Sequence, residues 1–318
     1  MNDRPSSALG NITDSAEVEA QVLDILRRFA PGHDPARVVA TFDLLRRAFR
    51  GELPGYARLK TLYHNSSHTN EVVLCSARML HSLHLSGRRL EGDTIDAALI
   101  GALMHDFGYL MKDGEATGTG AQFTQTHVAR GVEFVSHELQ GLIDLPDHIR
   151  DTAVKVVQIT DHRKHPDWVT FDNPQQQLAA YATATADLVG QMANREYLER
   201  LLFLYFEFQE ARIPGFGDIH ELMEKTADFY RITRSRIDND LQGMALDLRR
   251  HFADVRGEER NFYLESIDRN LGYLDALVHM DREKRLDRLK RGGIVEQMND
   301  RLADAGAPGD VGSLEKRG

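Results

Sequence analysis

The chain has a single cysteine, a single tryptophan, no long apolar run and no surplus of positive charge. With only Cys75, no intrachain disulfide can form, and the thiol fits a reducing cytoplasm as a small buried side chain. Lys and Arg number 39 against 49 Asp and Glu, a net charge of −10, which argues against a nucleic-acid groove or an anionic membrane as the main partner. The apolar stretch "AALIGALM" stops at His105-Asp106, well short of a membrane span. The N-terminal "MNDRPSSALGNITDSAEVEA" has no basic segment leading into an apolar one, so no signal peptide is expected and the cytoplasm is the expected location.

Alternating Val/Ile/Thr-rich runs closed by tight turns are also missing. Apolar residues instead recur three and four apart almost throughout, which predicts an all-α protein. At 318 residues and 42% apolar composition the chain can bury a full core as one large or two small domains. Helices are predicted near 15–30, 35–49, 67–86, 94–110, 123–140, 147–161, 175–193, 195–211, 218–232, 235–256, 258–281 and 283–302. Asp93 or Thr94 is the expected N-cap of the fourth helix, and "SGRR" and "IPGFGD" break the chain. The expected organisation is an extension with one helix over 1–34, a catalytic helical domain over 35–232, helices completing or extending it over 233–302, and a disordered tail over 303–318. The charged helices after about 235 read as solvated, with a dimerisation face as the alternative. Residues 111–122, "MKDGEATGTGAQ", follow His105-Asp106 as a candidate rim or lid.

Of the 14 histidines, His33, His81, His84, His148, His220, His251 and His279 have no companion pattern and read as surface or core residues. Six others fall at His64 and His68 in "YHNSSH", at His105-Asp106, at His127, and in "ITDHRKH" with Asp161, His162 and His165. Asp187 follows the small-residue run "AAYATATA", whose slim side chains let helices approach and leave a carboxylate inside a bundle. Ionisable groups at the end of an apolar helix are costly to bury unless each has a strong partner. A divalent ion would satisfy them together, since imidazole and carboxylate suit Zn²⁺, Fe²⁺, Mn²⁺ or Ni²⁺, and bundles build such sites from inward-facing ligands. An adjacent His-Asp pair can serve two ions, and a water held between two ions loses its proton near neutral pH, as phosphoester hydrolysis requires.

Taken in order, "YHNSSHTNEV", "AALIGALMHDFGY", "TDHRKH" and "ATADLVGQM" resemble the HD-domain metal-dependent phosphohydrolases, and among them the catalytic domain of class I cyclic nucleotide phosphodiesterases. The resemblance spans about residues 55–230. It implies a multi-helix bundle with a dinuclear site of Zn, Mg, Mn or Fe between helices, and hydrolysis of cAMP or cGMP to the 5′-monophosphate. It further implies that His68, His105, Asp106 and Asp187 are metal ligands and that His64 is the general acid that protonates the leaving 3′ oxygen. Histidine titrates near neutrality, which suits that task. His127, His162 and Asp161 are candidates for a second ion or its surroundings, and Asp161 or Glu71 for orienting an imidazole or a water. The partner implied is a small nucleotide, and a homodimer is left open.

The sequence departs from the family at Tyr109, where the pattern has another histidine, and in the Gly-rich "DGEATGTG" that follows. "HDFGY" bears some likeness to cyclic di-GMP phosphodiesterases, but the lysine and the Gly-Tyr-Pro signature of that branch are absent. Gln242 is only roughly placed for a glutamine that would hold a base. Alternative readings are hydrolysis of another nucleotide or a cyclic dinucleotide, a di-iron oxygenase of the same fold, and a binding module that has lost activity.

Overall fold

The computed structural model describes residues 8–115 and 118–298. The tail expected over 303–318 lies outside them. The described residues are helical and contain no strand, only an isolated bridge between Tyr56 and Lys112. The fold is therefore all-α. No described helix is long and apolar enough to cross a membrane.

The main helices are α1 (Ser15–Phe29), α2 (Ala36–Arg50), α3 (Ser66–Leu85), α4 (Gly92–Met104), α5 (His127–His137), α6 (Asp147–Ile159), α7 (Pro174–Ala193), α8 (Tyr197–Glu210), α9 (Ile219–Ser235), α10 (Leu248–Arg256), α11 (Phe262–Val278) and α12 (Arg282–Arg285). Local chemistry sets several starts. Asp14 accepts from the Ala16 amide at 2.8 Å, Asn173 from Gln176 at 3.0 Å with Pro174 at the first helical position, and Asp218 from Glu221 at 2.6 Å.

Helices α3, α4 and α7 form the centre, with nearly every α4 side chain buried. The run "AAYATATA" is buried in α7, and a Cβ at Gly190 would stand 3.3 Å from the Glu71 carbonyl, so small side chains bring α7 close against α3. α1 and α10 pack on α3, and α11 packs on α7 and α9, so the terminal helices share one core with the centre.

Three expected helices differ. The segment 94–110 begins earlier, at Gly92, with Asp93 in its first turn rather than at the cap, and ends at Met104. His105 Nδ1 donates to the Ala102 carbonyl at 2.8 Å, and a short 3-10 turn, Phe107–Tyr109, follows. The segment 235–256 is broken by Gln242 and Gly243, both left-handed (φ 61° and 63°), and only α10 remains regular. The segment 283–302 is interrupted at Gly292 and Gly293, which also have positive φ.

Two histidines without a sequence companion meet in the core. His81 and His251 share one hydrogen between their Nδ1 atoms, 3.0 Å apart, with Phe29 stacked on His81. Burial lowers both imidazoles, and for His251 the nearby Arg78 and His81 deepen the fall to about 2. The unfolded chain binds the His251 proton from about pH 6.5 downward while the folded chain does not. Its contribution to stability is therefore present above that pH and is lost as pH falls. Thermal denaturation should give a lower Tm at pH 5.5 than at 7.5, and a smaller difference in His251→Gln; an equal difference in the variant would disprove the assignment.

Candidate metal centre

The Asn of "YHNSSH" fixes the local geometry. Asn65 is the N-cap of α3, accepting from the Ser67 and His68 amides at 2.9 and 3.2 Å. His68 thus lies in the first turn of α3, whereas His64 lies in the bend that precedes the helix, so their four-residue spacing does not place both on one helix face.

α3 delivers His68, the end of α4 delivers His105 and Asp106, and the middle of α7 delivers Asp187. His68 Nε2 lies 3.2 Å from His105 Nε2, 3.3 Å from Asp106 Oδ2 and 3.4 Å from Asp187 Oδ1. His105 Nε2 lies 3.2 Å from Asp106 Oδ2 and 3.8 Å from Asp187 Oδ1. Donor atoms held about 2.0–2.2 Å from one divalent ion stand roughly 3.0–3.5 Å from one another; His68, His105 and Asp187 form a mutually close group that could hold an ion, and Asp106 Oδ2 lies beside both of its imidazoles. Asp106 Oδ2 is buried and without a hydrogen-bond partner, as expected of an oxygen that an ion would satisfy.

The imidazoles are aimed by hydrogen bonds behind them. His105 Nδ1 is tied to Ala102 O, and His127 Nδ1 to Thr124 O at 2.8 Å, which leaves each Nε2 lone pair facing the site. His127 Nε2 is 3.6 Å from Asp106 Oδ1, the oxygen not shared with His68 and His105. His162 lines the same pocket, edge-on to Phe229. Asp161 does not join it, because Arg163 grips both its oxygens at 2.8 and 3.1 Å. Gln242 lies outside the pocket.

Charge separates these groups into two kinds. Burial would lower His68, but the neighbouring carboxylates of Asp106, Asp187 and Glu71 raise it well above its ordinary value. His105 is likewise raised, burial being outweighed by Asp106. Burial would raise Asp106, yet the neighbouring His105 and His64 hold it well below the usual carboxylate range, and Asp187 is lowered by its hydrogen bond from His68. Burial lowers His127 to about 4 and also lowers His162, so both are neutral and free to ligate.

Three features were invisible in the sequence pattern. Glu207 of α8 holds His64 Nδ1 at 2.5 Å and also accepts from the Tyr63 amide at 2.6 Å. Tyr109 is sandwiched between His64 and His127, with ring centroids 4.5 Å apart on each side. Gly108 lets the turn after Asp106 press on α5, since a Cβ there would fall 1.8 Å from the His127 carbonyl.

These donors open on a pocket of about 340 Å³. Its far wall is apolar, built from Leu188, Leu201, Leu204, Phe208, Phe216 and Phe229. Both cations that line it are engaged, Arg163 by Asp161 and Lys225 by Glu221 at 2.6 Å.

Two outcomes are expected. Binding of Zn²⁺ or Mn²⁺ at pH 7 releases protons from His68 and His105, and affinity rises with pH, because raised imidazoles keep protons in competition with the ion. Calorimetry in buffers of different ionisation heat measures this, and a buffer-independent heat would contradict it. Gly108→Ala, which touches no ligand, should weaken metal binding by displacing Asp106 or His127; unchanged affinity would mean the turn has room to yield. No protein-family model and no curated protein matches the chain, so its function is read from this geometry.

Proposed function

We propose that the chain is a metal-dependent hydrolase of phosphoric diesters, an HD-domain phosphohydrolase close to the cyclic nucleotide phosphodiesterases, with a 3′,5′-cyclic nucleotide as substrate. The observation that carries this reading is the pairing of a His68-His105-Asp187 donor group, Asp106 beside its imidazoles, with a separate imidazole, His64, whose orientation is set by a carboxylate rather than by the donor cluster. A hydrolase of this kind needs both, one to hold the phosphoryl group and one to protonate what leaves.

His68, His105, Asp106 and Asp187 would hold one divalent ion, and Asp106 Oδ1 with His127 and His162 could contribute to a second. Such ions, when bound, neutralise phosphoryl oxygens and acidify water. The remaining work falls to side chains. Glu207 takes the Nδ1 hydrogen of His64, so the Nε2 atom is the one turned to the pocket, where it can deliver a proton to the departing ribose oxygen. Tyr109 stacks on His64 and limits its rotation. The apolar wall suits a flat base, and with Arg163 and Lys225 already paired the pocket suits one phosphodiester rather than a polyphosphate.

The neutral His127 and His162 in the same pocket favour a second reading, a di-iron oxygenase. Metal content separates the two, since an oxygenase requires iron and loses activity with Mg²⁺ or Mn²⁺.

The test is hydrolysis of cAMP, cGMP, cyclic di-GMP and nucleoside monophosphates with Mg²⁺, Mn²⁺, Zn²⁺ and Fe²⁺. His64→Ala should retain metal and lose about 10²–10⁴-fold in kcat on a cyclic nucleotide. It should lose little on bis(p-nitrophenyl) phosphate, whose leaving group departs without a proton. Normal turnover of the cyclic nucleotide by His64→Ala would refute the general-acid role.

A further inference from the structure

The back of His68 faces a second buried charge. Glu71 lies one turn along α3, and its Oε2 is 3.8 Å from His68 Nδ1; neither atom has a hydrogen-bond partner, and both are buried. The other carboxylate oxygen is held firmly. Arg200 of α8, itself buried, donates to Oε1 at 2.7 Å, and Asn194 at the end of α7 donates to the same atom. The Arg200 guanidinium also lies against the Tyr63 ring and reaches the Tyr63 carbonyl at 3.4 Å. Gly190 lets α7 approach the Glu71 backbone closely enough for Asn194 to arrive.

We propose that Glu71 is a positioning residue for the metal ligand His68, holding its Nδ1–H so that Nε2 faces the ion, with Arg200 and Asn194 anchoring Glu71 from behind. The inference rests on the metal-centre reading above. His105 and His127 have carbonyl acceptors behind their Nδ1 atoms and His64 has Glu207, and Glu71 is the group that stands in the same place behind His68. A carboxylate behind a ligating imidazole fixes its tautomer and makes it a stronger donor, an effect typically worth about 10–100-fold in metal affinity. A buried Glu–Arg pair with no further task is weak evidence for stability alone. Here the free oxygen is the one turned to His68.

Glu71, though buried, borders open space. It lines a cavity of about 320 Å³ beside Ile12, Leu74, Asn194 and Tyr263, away from the metal pocket. A small carboxylate can enter there if the Glu71 side chain is removed.

The experiment measures Zn²⁺ affinity and the visible spectrum of the Co²⁺-loaded protein for the full chain, with no substrate involved. Glu71→Ala should bind Zn²⁺ about 10–100-fold more weakly and shift the Co²⁺ bands. Sodium formate, but not chloride at equal ionic strength, should restore both. Glu71→Gln, which preserves shape and offers a neutral acceptor, should fall between Glu71→Ala and the wild type and shows whether the fold survives. Wild-type affinity in Glu71→Ala would overturn the inference, and so would weakened affinity in both variants that formate leaves unchanged. If the wild-type chain binds no divalent ion, the metal-centre reading fails and this inference with it; a wild type that binds beside unaffected variants fails the inference alone.

Discussion

The buried imidazoles of His68 and His105 stand within 3.2 to 3.8 Å of each other and of the carboxylates of buried Asp106 and half-buried Asp187, and that concentration of charge is the constraint on which the rest of the site depends. Removing one partner from a buried ionic cluster costs about 3–5 kcal/mol, so the centre is stable only with positive charge in its middle. Protons on His68 and His105 can provide it, and an ion among these donors would also satisfy the orphaned Asp106 Oδ2. The surrounding architecture serves this arrangement: slim α7 side chains permit close packing, and the end of α4 at Met104 turns His105 and Asp106 inward.

Around the centre, polar groups are organised in layers. Behind the donor imidazoles stand Ala102 O, Thr124 O and Glu71, and behind Glu71 stand Arg200 and Asn194. Glu207 occupies the equivalent position for His64, which lies before α3 and answers to α8. Helix α8 therefore supplies Arg200 on one side of the centre and Glu207 on the other, and its Leu201, Leu204 and Phe208 form part of the apolar wall. A single helix thus contacts Glu71, His64 and the pocket at once.

Tyr109 has a structural role that its place in the sequence did not announce. Its ring fills the gap between His64 and His127 and stacks on both, so it holds two imidazoles in place. The phenol oxygen is buried and lacks a hydrogen-bond partner.

The sequence by itself determined the helices and the chemistry of the donors. Amphipathic spacing is a local property, so the helices emerge near their expected places, and breaks appear where left-handed residues such as Gln242 and Gly243 interrupt a charged segment whose periodicity looks continuous. His105-Asp106 could be singled out because ionisable groups closing an apolar helix demand compensation wherever they fold. Only the tertiary structure decided which groups meet. Glu207 is 143 residues from His64, and Arg200 is 129 from Glu71, so no local pattern encodes either pairing. Asp161, which lies beside His162 in the chain, is drawn away from the pocket by Arg163, because a bidentate ion pair with a near neighbour needs no help from the fold.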